Sequence, residues 1–293
     1  LTYGRSDGFE AAASKAIAER LGYPWRFVPV SISRQREFFT SQAFQDYLAF
    51  SDSCVSVPFV QDMAPLQTLR DAGYLPEDSV MANGNSGDFI SGLHVVPTLR
   101  EPPAPGLSEE ARWVRLAEAL FAKHFVLWDS LQTSTNKMAV LQALRDSLED
   151  DCCSWFQHPP DADHGVYEQI EFRDRQCKYV ITGQRIYEFL GFEWRLPLWH
   201  NAYLDFWERM PLSAKAGQGL YATMLMEQNW GGVWQDIPVN QRTVRPQWIR
   251  PLRSLGKVLH APFGKASWHR FERRYFQYWM NLAGNSAVVP YWR

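Results

Sequence analysis

The densest set of residues able to do chemistry runs from Val80 to His94. A short apolar run, Val80-Met81-Ala82, leads into Asn83-Gly84-Asn85-Ser86-Gly87, and a single carboxylate, Asp88, stands at the mouth of the next element. Glycines at 84 and 87 allow positive φ and close backbone approach. Several N–H groups could therefore converge on an anion, or on a phosphate bridged to Asp88 by a metal ion. The same residues also suit an ordinary strand-to-helix turn in which Ser86 or Asp88 caps the helix. His94, just beyond, is of a kind more often packed or capping than engaged in acid–base work. Ser86 is not a nucleophile elbow, because the flanking Gly-x-Ser-x-Gly spacing is absent.

The elements around this turn follow from hydrophobic spacing. Phe9, Ala12, Ala13, Ala16, Ile17 and Leu21 recur at helical intervals and Gly22 stops them; residues 23–30 then read as a strand. With the apparent strand end at Leu1 to Gly4, this makes one βαβ unit and favours a parallel sheet. Helices are expected over 33–50 and 60–72, and Val80 to Ala82 as the next core strand. The glycine-rich turn then lies past the carboxyl end of a strand, where open α/β sheets bind ligands. Pro102-Pro103-Ala104-Pro105 marks a linker or loop. Beyond it the pattern is helical over 108–125, 137–151, 167–190 (with a kink at Gly183), 202–210 and 212–227. A final amphipathic helix is expected over 270–280, followed by an irregular tail.

Composition narrows the class. The 293 residues suffice for a large core as one or two domains. Thirty Lys and Arg against 32 Asp and Glu give a net charge of -2, which leaves no broad footprint for nucleic acid. No apolar run is long enough to span a bilayer, and no signal peptide is visible. Cys54, Cys152, Cys153 and Cys177 lack metal-ligand spacing, so reduced thiols in a cytoplasmic protein are the preferred reading. Aromatic residues reach 15% of the chain, as core or as interface. The Trp, Tyr and basic residues of the carboxyl-terminal part suit a partner surface or core and dimer packing equally. Leu1 is not an initiator Met, and further chain is expected before it.

Taken in order, the leading Tyr3-Gly4, the Ala-rich helix, the Asn83 to Gly92 turn and Gly191-Phe192-Glu193-Trp194-Arg195-Leu196-Pro197 resemble the synthetase domain of glutamine-dependent asparagine synthetases. More closely, they resemble the asparagine synthase-related proteins often associated with surface-polysaccharide biosynthesis, within the adenine-nucleotide alpha-hydrolase-like ATP pyrophosphatases. The resemblance covers residues 1–230. It implies an α/β fold: a parallel-sheet, Rossmann-like nucleotide-binding core over 1–100 that lacks its first strand and phosphate loop, a largely helical part over 101–235 completing the domain, and an aromatic and basic extension over 236–293. It further implies an ATP-dependent ligase or amidotransferase that adenylates a carboxylate, releases pyrophosphate and transfers ammonia. ATP and Mg²⁺ would be the cofactors, and a small-molecule substrate and a separate glutaminase or other ammonia source the partners; a homo-oligomer is compatible with the chain.

The resemblance assigns roles residue by residue. Asp88 would meet Mg²⁺ and phosphate oxygens, with Gly84, Ser86 and Gly87 around the phosphates and Tyr3 and Gly4 beside the adenine. Arg195 would neutralise phosphate or brace a carboxylate; a salt bridge to Glu193 or Glu188 is the structural alternative. His200 and Gln218 depart from the family, standing where an Asp and a Lys are usual, and Lys215 is the nearest replacement cation. These departures keep two alternatives in view: an ATP-pyrophosphatase-type enzyme acting on a sugar or other non-amino-acid substrate, and a catalytically weak relative acting as a binding protein.

Overall fold

The computed structural model describes residues 1–4, 8–51, 54–56, 58–125, 130–150, 159–237 and 248–276. In chain order the elements are β1 (Thr2–Gly4), α1 (Phe9–Leu21), β2 (Phe27–Pro29), α2 (Ile32–Phe39), α3 (Gln42–Ser51), α4 (Met63–Asp71), β3 (Val80–Ala82), α5 (Gly87–Ile90), α6 (Glu109–His124) and α7 (Ser134–Asp150). There follow α8 (Asp163–Ile170), a π-helical segment (Glu171–Ile181), α9 (Arg185–Phe189), β4 (Glu193–Arg195), α10 (Asn201–Glu208), α11 (Leu212–Lys215), α12 (Gly219–Gln228), α13 (Ile249–His260) and α14 (Gly264–Tyr275). Cys152, Cys153, His158, Arg242 and Arg245 lie outside the described residues.

The α/β core expected from the sequence is not what forms. Among the described residues the chain is mostly helical, and the strands make two separate two-stranded sheets, β1 with β2 and β3 with β4. β1 and β2 do pair in parallel, with Thr2 opposite Phe27 and Gly4 opposite Pro29. A strand inside a parallel sheet is covered on both faces, yet Val80 is 51% exposed and β3 and β4 each bury only their middle residue in part. The apolar run Val80-Met81-Ala82 therefore marks a short edge ladder. The resemblance to asparagine synthase-related proteins and to the ATP pyrophosphatases is overturned with it, since that superfamily is built on a large parallel nucleotide-binding sheet.

Two compact units emerge. The first comprises residues 1–81, 183–194 and 225–293, the second 82–182 and 195–224. In the first, Phe38, Tyr47, Met63, Leu66, Ile186 and Tyr187 are the centre of the core. The expected helix over 33–50 divides at Thr40-Ser41, where the Thr40 hydroxyl donates to Arg36 O and Ser41 Oγ donates to Phe38 O and accepts from Phe44 N. Such local hydroxyl bonds offer the backbone an alternative to the helical ladder. The kink foreseen at Gly183 is a three-residue 3₁₀ turn, and a side chain there would strike Phe59 Cβ, 2.6 Å from the position of a methyl group.

In the second unit, Trp113, Leu116, Leu120, Val166, Tyr167 and Ile170 join α6 to α8, and Phe89, Ile90 and Trp207 make a smaller cluster under α10. α6 begins on Ser108, whose hydroxyl accepts from Ala111 N at 3.3 Å, with Glu109 and Glu110 in the first turn and Lys123 and His124 in the last. That charge order suits the helix dipole. It also delivers two basic side chains to one end of the unit. Among the described residues, no helix is long and apolar enough to cross a membrane.

Candidate functional site

Glu171 organises the second unit. It follows Val166, Tyr167 and Ile170 at helical spacing, so the buried face of α8 continues onto a carboxylate with no exposed side-chain surface. The π-helical turn beginning at Glu171 widens the backbone at this point; such insertions recur at functional positions. His94 Nδ1 lies 3.0 Å from Glu171 Oε1, and His94 Nε2 lies 3.0 Å from Asp88 Oδ2. Lys123 Nζ and His124 Nε2 reach Glu171 Oε2 at 3.1 and 2.9 Å, and Arg175 Nη1 reaches Oε1 at 3.4 Å. The His124 approach is close but poorly directed for a hydrogen bond, and Glu171 Oε2, His124 Nε2 and the Tyr167 hydroxyl are each buried without a well-aligned partner.

The charges follow from these contacts. Burial alone would push the Glu171 carboxyl up, but the close His124 imidazole, the contact from His94 and the charge of Lys123 outweigh it and hold the group well below the usual carboxylate range. The His94 hydrogen bond lowers Asp88 likewise, with the Phe89 N–H at 2.8 Å assisting. Burial disfavours the His94 cation, yet the bonds to Asp88 and Glu171 win and raise it. As an imidazolium, His94 donates from both nitrogens, one to each carboxylate. Burial lowers the Lys123 ammonium, against the pull of Glu171.

An open cleft of about 840 Å³ borders this network, lined by Leu93 to Thr98, Arg100, Arg115, Glu118, Ala119, Ala122 and Lys123. His94 and Lys123 belong to both. The Lys123 ammonium also donates to His94 O at 3.1 Å, fixing the corner where cleft and network meet. Arg100 donates through Nε to Val95 O at 3.1 Å and faces no carboxylate among the described residues. Glu118 is neutralised by Lys137. Two clefts of the first unit, one lined by α1 and Trp25 and one by β2, α2 and α4, adjoin no comparable network among the described residues.

The residues singled out from sequence fall in different places. Ser86, Gly87, Asp88 and Lys215 lie in the second unit with the network, whereas Tyr3 and Gly4 belong to the first. Ser86 adopts a left-handed conformation (φ 68°), and its hydroxyl donates to Gln176 Oε1 at 2.7 Å. A Cβ at Gly87 would lie 2.3 Å from Leu198 Cδ1, so a side chain there would displace that leucine. Gly84 has an ordinary φ and open space beside it; its carbonyl accepts from Gly87 N at 3.3 Å. Lys215 is buried and donates to Glu168 at 2.6 Å. Arg195 sits in β4, its carbonyl accepting from Asn83 N at 3.0 Å. His200 caps α10 through Nδ1, and Gln218 donates to Ser91 Oγ at 2.6 Å. In the first unit the Tyr3 hydroxyl donates to Asp62, which also accepts from Tyr187 at 2.8 Å, and Gly4 O accepts from Val30 N.

This geometry replaces the ATP and Mg²⁺ assignment. Both Asp88 oxygens are engaged, by the Phe89 N–H and by His94, and among the described residues no three His, Cys, Asp or Glu side chains are arranged to hold a metal ion. With no large nucleotide-binding sheet among the described residues, the ligase and amidotransferase reading, the sugar-directed ATP-pyrophosphatase reading and the weakened-homologue reading lose their basis. The link to polysaccharide biosynthesis goes with them.

Glu171, His124 and Arg175 were missed by sequence reasoning. The available signal was the spacing of Glu171 behind Tyr167 and Ile170, which places an acid on an apolar face, where it requires partners. Compared with protein-family models, curated proteins and solved structures, the chain matches none.

Proposed function

We propose that the second unit binds a small anionic ligand with an apolar body in the cleft between the 93–100 segment and α6. The observation that carries this reading is the lining: an apolar floor from Leu93, Val95, Val96, Pro97, Ala119 and Ala122 under Arg100, Arg115 and Lys123, with the one acid, Glu118, already paired. A volume of about 840 Å³ suits a small molecule. Arg100 is the cation best placed to meet a carboxylate, sulfonate or phosphate head group, since a guanidinium presents a planar fork of donors. His94 does not serve as a free base in this reading, because both ring nitrogens are held by carboxylates. The thiol chemistry read from the sequence supports a cytoplasmic setting.

The test uses two fluorescent probes of similar body, the anion 1-anilinonaphthalene-8-sulfonate and the uncharged N-phenyl-1-naphthylamine. Arg100→Gln is expected to weaken the anionic probe about three- to tenfold, within the range of a partly exposed ionic contact, and to leave the neutral probe unchanged. Ala122→Trp, which fills the cleft, is expected to abolish both. Equal affinity of all three proteins for the anionic probe would contradict the reading.

A further inference from the structure

We propose that the outer face of the α13–α14 hairpin docks peripherally on an anionic lipid bilayer. The inner face of α13 is satisfied: Ile249 is buried, and a Cβ at Gly256 would lie 3.2 Å from Trp268 and 3.5 Å from Phe271. The outer face is not. Leu252, Leu255 and Leu259 follow at three- and four-residue steps, so they form one stripe, with Val258 beside it and Phe263 at its end. Leu255 is 57%, Val258 68%, Leu259 62% and Phe263 73% exposed. A contiguous apolar stripe of this kind on a folded chain marks an interaction surface.

Charge selects the occupant. Residues 249–276 carry seven Lys and Arg against the single carboxylate Glu272, and Glu272 already accepts from Arg253 Nε at 2.6 Å. On α13, Arg250 and Lys257 stand on the side away from the leucine stripe. An apolar stripe with a basic opposite face is the pattern of a helix lying in the plane of a membrane interface, its leucines and phenylalanine among the acyl chains and its long basic side chains reaching the head groups. A second copy packed on the stripe would leave Arg250 and Lys257 without a counter-charge, and a nucleic acid would leave the leucine stripe uncovered. The lack of a membrane-crossing helix concerns spans only and leaves such surface contact open.

The full chain is sedimented with vesicles of phosphatidylcholine and with vesicles containing phosphatidylglycerol. Pelleting is expected with the anionic vesicles, weakening as salt is raised. Leu255→Asp with Leu259→Asp, and separately Arg250→Glu with Lys257→Glu, are each expected to lower the partition coefficient by about tenfold or more. All four positions are exposed, and circular dichroism verifies that the helices persist; if the leucine variant loses helix, the charge variant alone decides. The proposal is overturned if the wild-type chain stays in the supernatant, if it pellets equally with uncharged vesicles, or if the charge variant binds as wild type does. It is equally overturned if light scattering without lipid finds a dimer that the leucine variant dissolves.

Discussion

Glu171→Leu is expected to destabilise the second unit by about 3 kcal/mol, near the lower end of what breaking a buried ion pair costs. The carboxylate is fully buried and is the common partner of His94, Lys123, His124 and Arg175. Without it, those basic groups remain crowded and His94 loses one of its two acceptors. The cost stays at the lower end because Lys123 and Arg175 keep access to water. Calorimetry would register a fall of roughly 10 °C in the transition of this unit. Glu171→Gln, which keeps hydrogen-bonding capacity but not charge, is expected to lose less. An unchanged transition in both variants would show that the network contributes little.

A similar loss, about 3–5 kcal/mol, is expected for Arg112→Ala. Arg112 lies on the buried face of α6 and meets Asp163, at the start of α8, with Nη2 2.6 Å and Nε 3.2 Å from Oδ1. Both side chains are nearly inaccessible, and the second cation, Arg115 Nη1, stands farther off at 3.8 Å from Oδ2. The variant thus leaves the buried Asp163 carboxylate with only the longer Arg115 contact among the described residues. Replacing both partners together, Arg112→Leu with Asp163→Leu, is expected to recover most of the stability, because two apolar side chains leave no charge to desolvate. Urea denaturation of the two single variants and the double variant measures the difference. A double variant as unstable as the sum of the singles would contradict this account.

Local periodicity was a good guide to helices and a poor guide to assembly. The spacing of Phe9 to Leu21 and the helical pattern over 108–125 located α1 and α6 closely, because those signals are carried within the element. α13 was not foreseen; Pro251 lies in its first turn, where the missing N–H removes no helical bond. The greater error was tertiary. Val80-Met81-Ala82 is extended, as expected, but a three-residue apolar run does not reveal how many neighbours it has or whether both faces are covered. The Asn83 to Gly92 turn was read as a phosphate cradle because glycine suits close approach; the neighbour is Leu198, about 110 residues away in sequence, and at Gly92 it is the Lys215 backbone. Asp88 was rightly placed at the start of a helix. Its partner His94 was set aside as packed or capping, since nothing local announced a buried acid 77 positions away.

His94 ties the network to the cleft, and its titration has a definite sign. A raised imidazole contributes stability that is fully present below its ordinary value, about pH 6.5, and is lost as pH rises through the folded value. Asp88 and Glu171, both lowered, contribute above the ordinary carboxylate value, about pH 4, and lose that contribution as pH falls through their folded values. The network is therefore strongest between about pH 4 and 6.5. An anion held near Arg100 and Lys123 favours the imidazolium further, and by reciprocity its own affinity falls as His94 loses its proton. The most direct measurement is the NMR titration of the His94 ring, assigned by its loss in His94→Gln, in the free protein and with saturating 1-anilinonaphthalene-8-sulfonate. The account expects a midpoint above about 6.5 in the free protein and a further rise with the probe bound. A midpoint at or below the ordinary value, or one that the bound probe leaves unmoved, would contradict it.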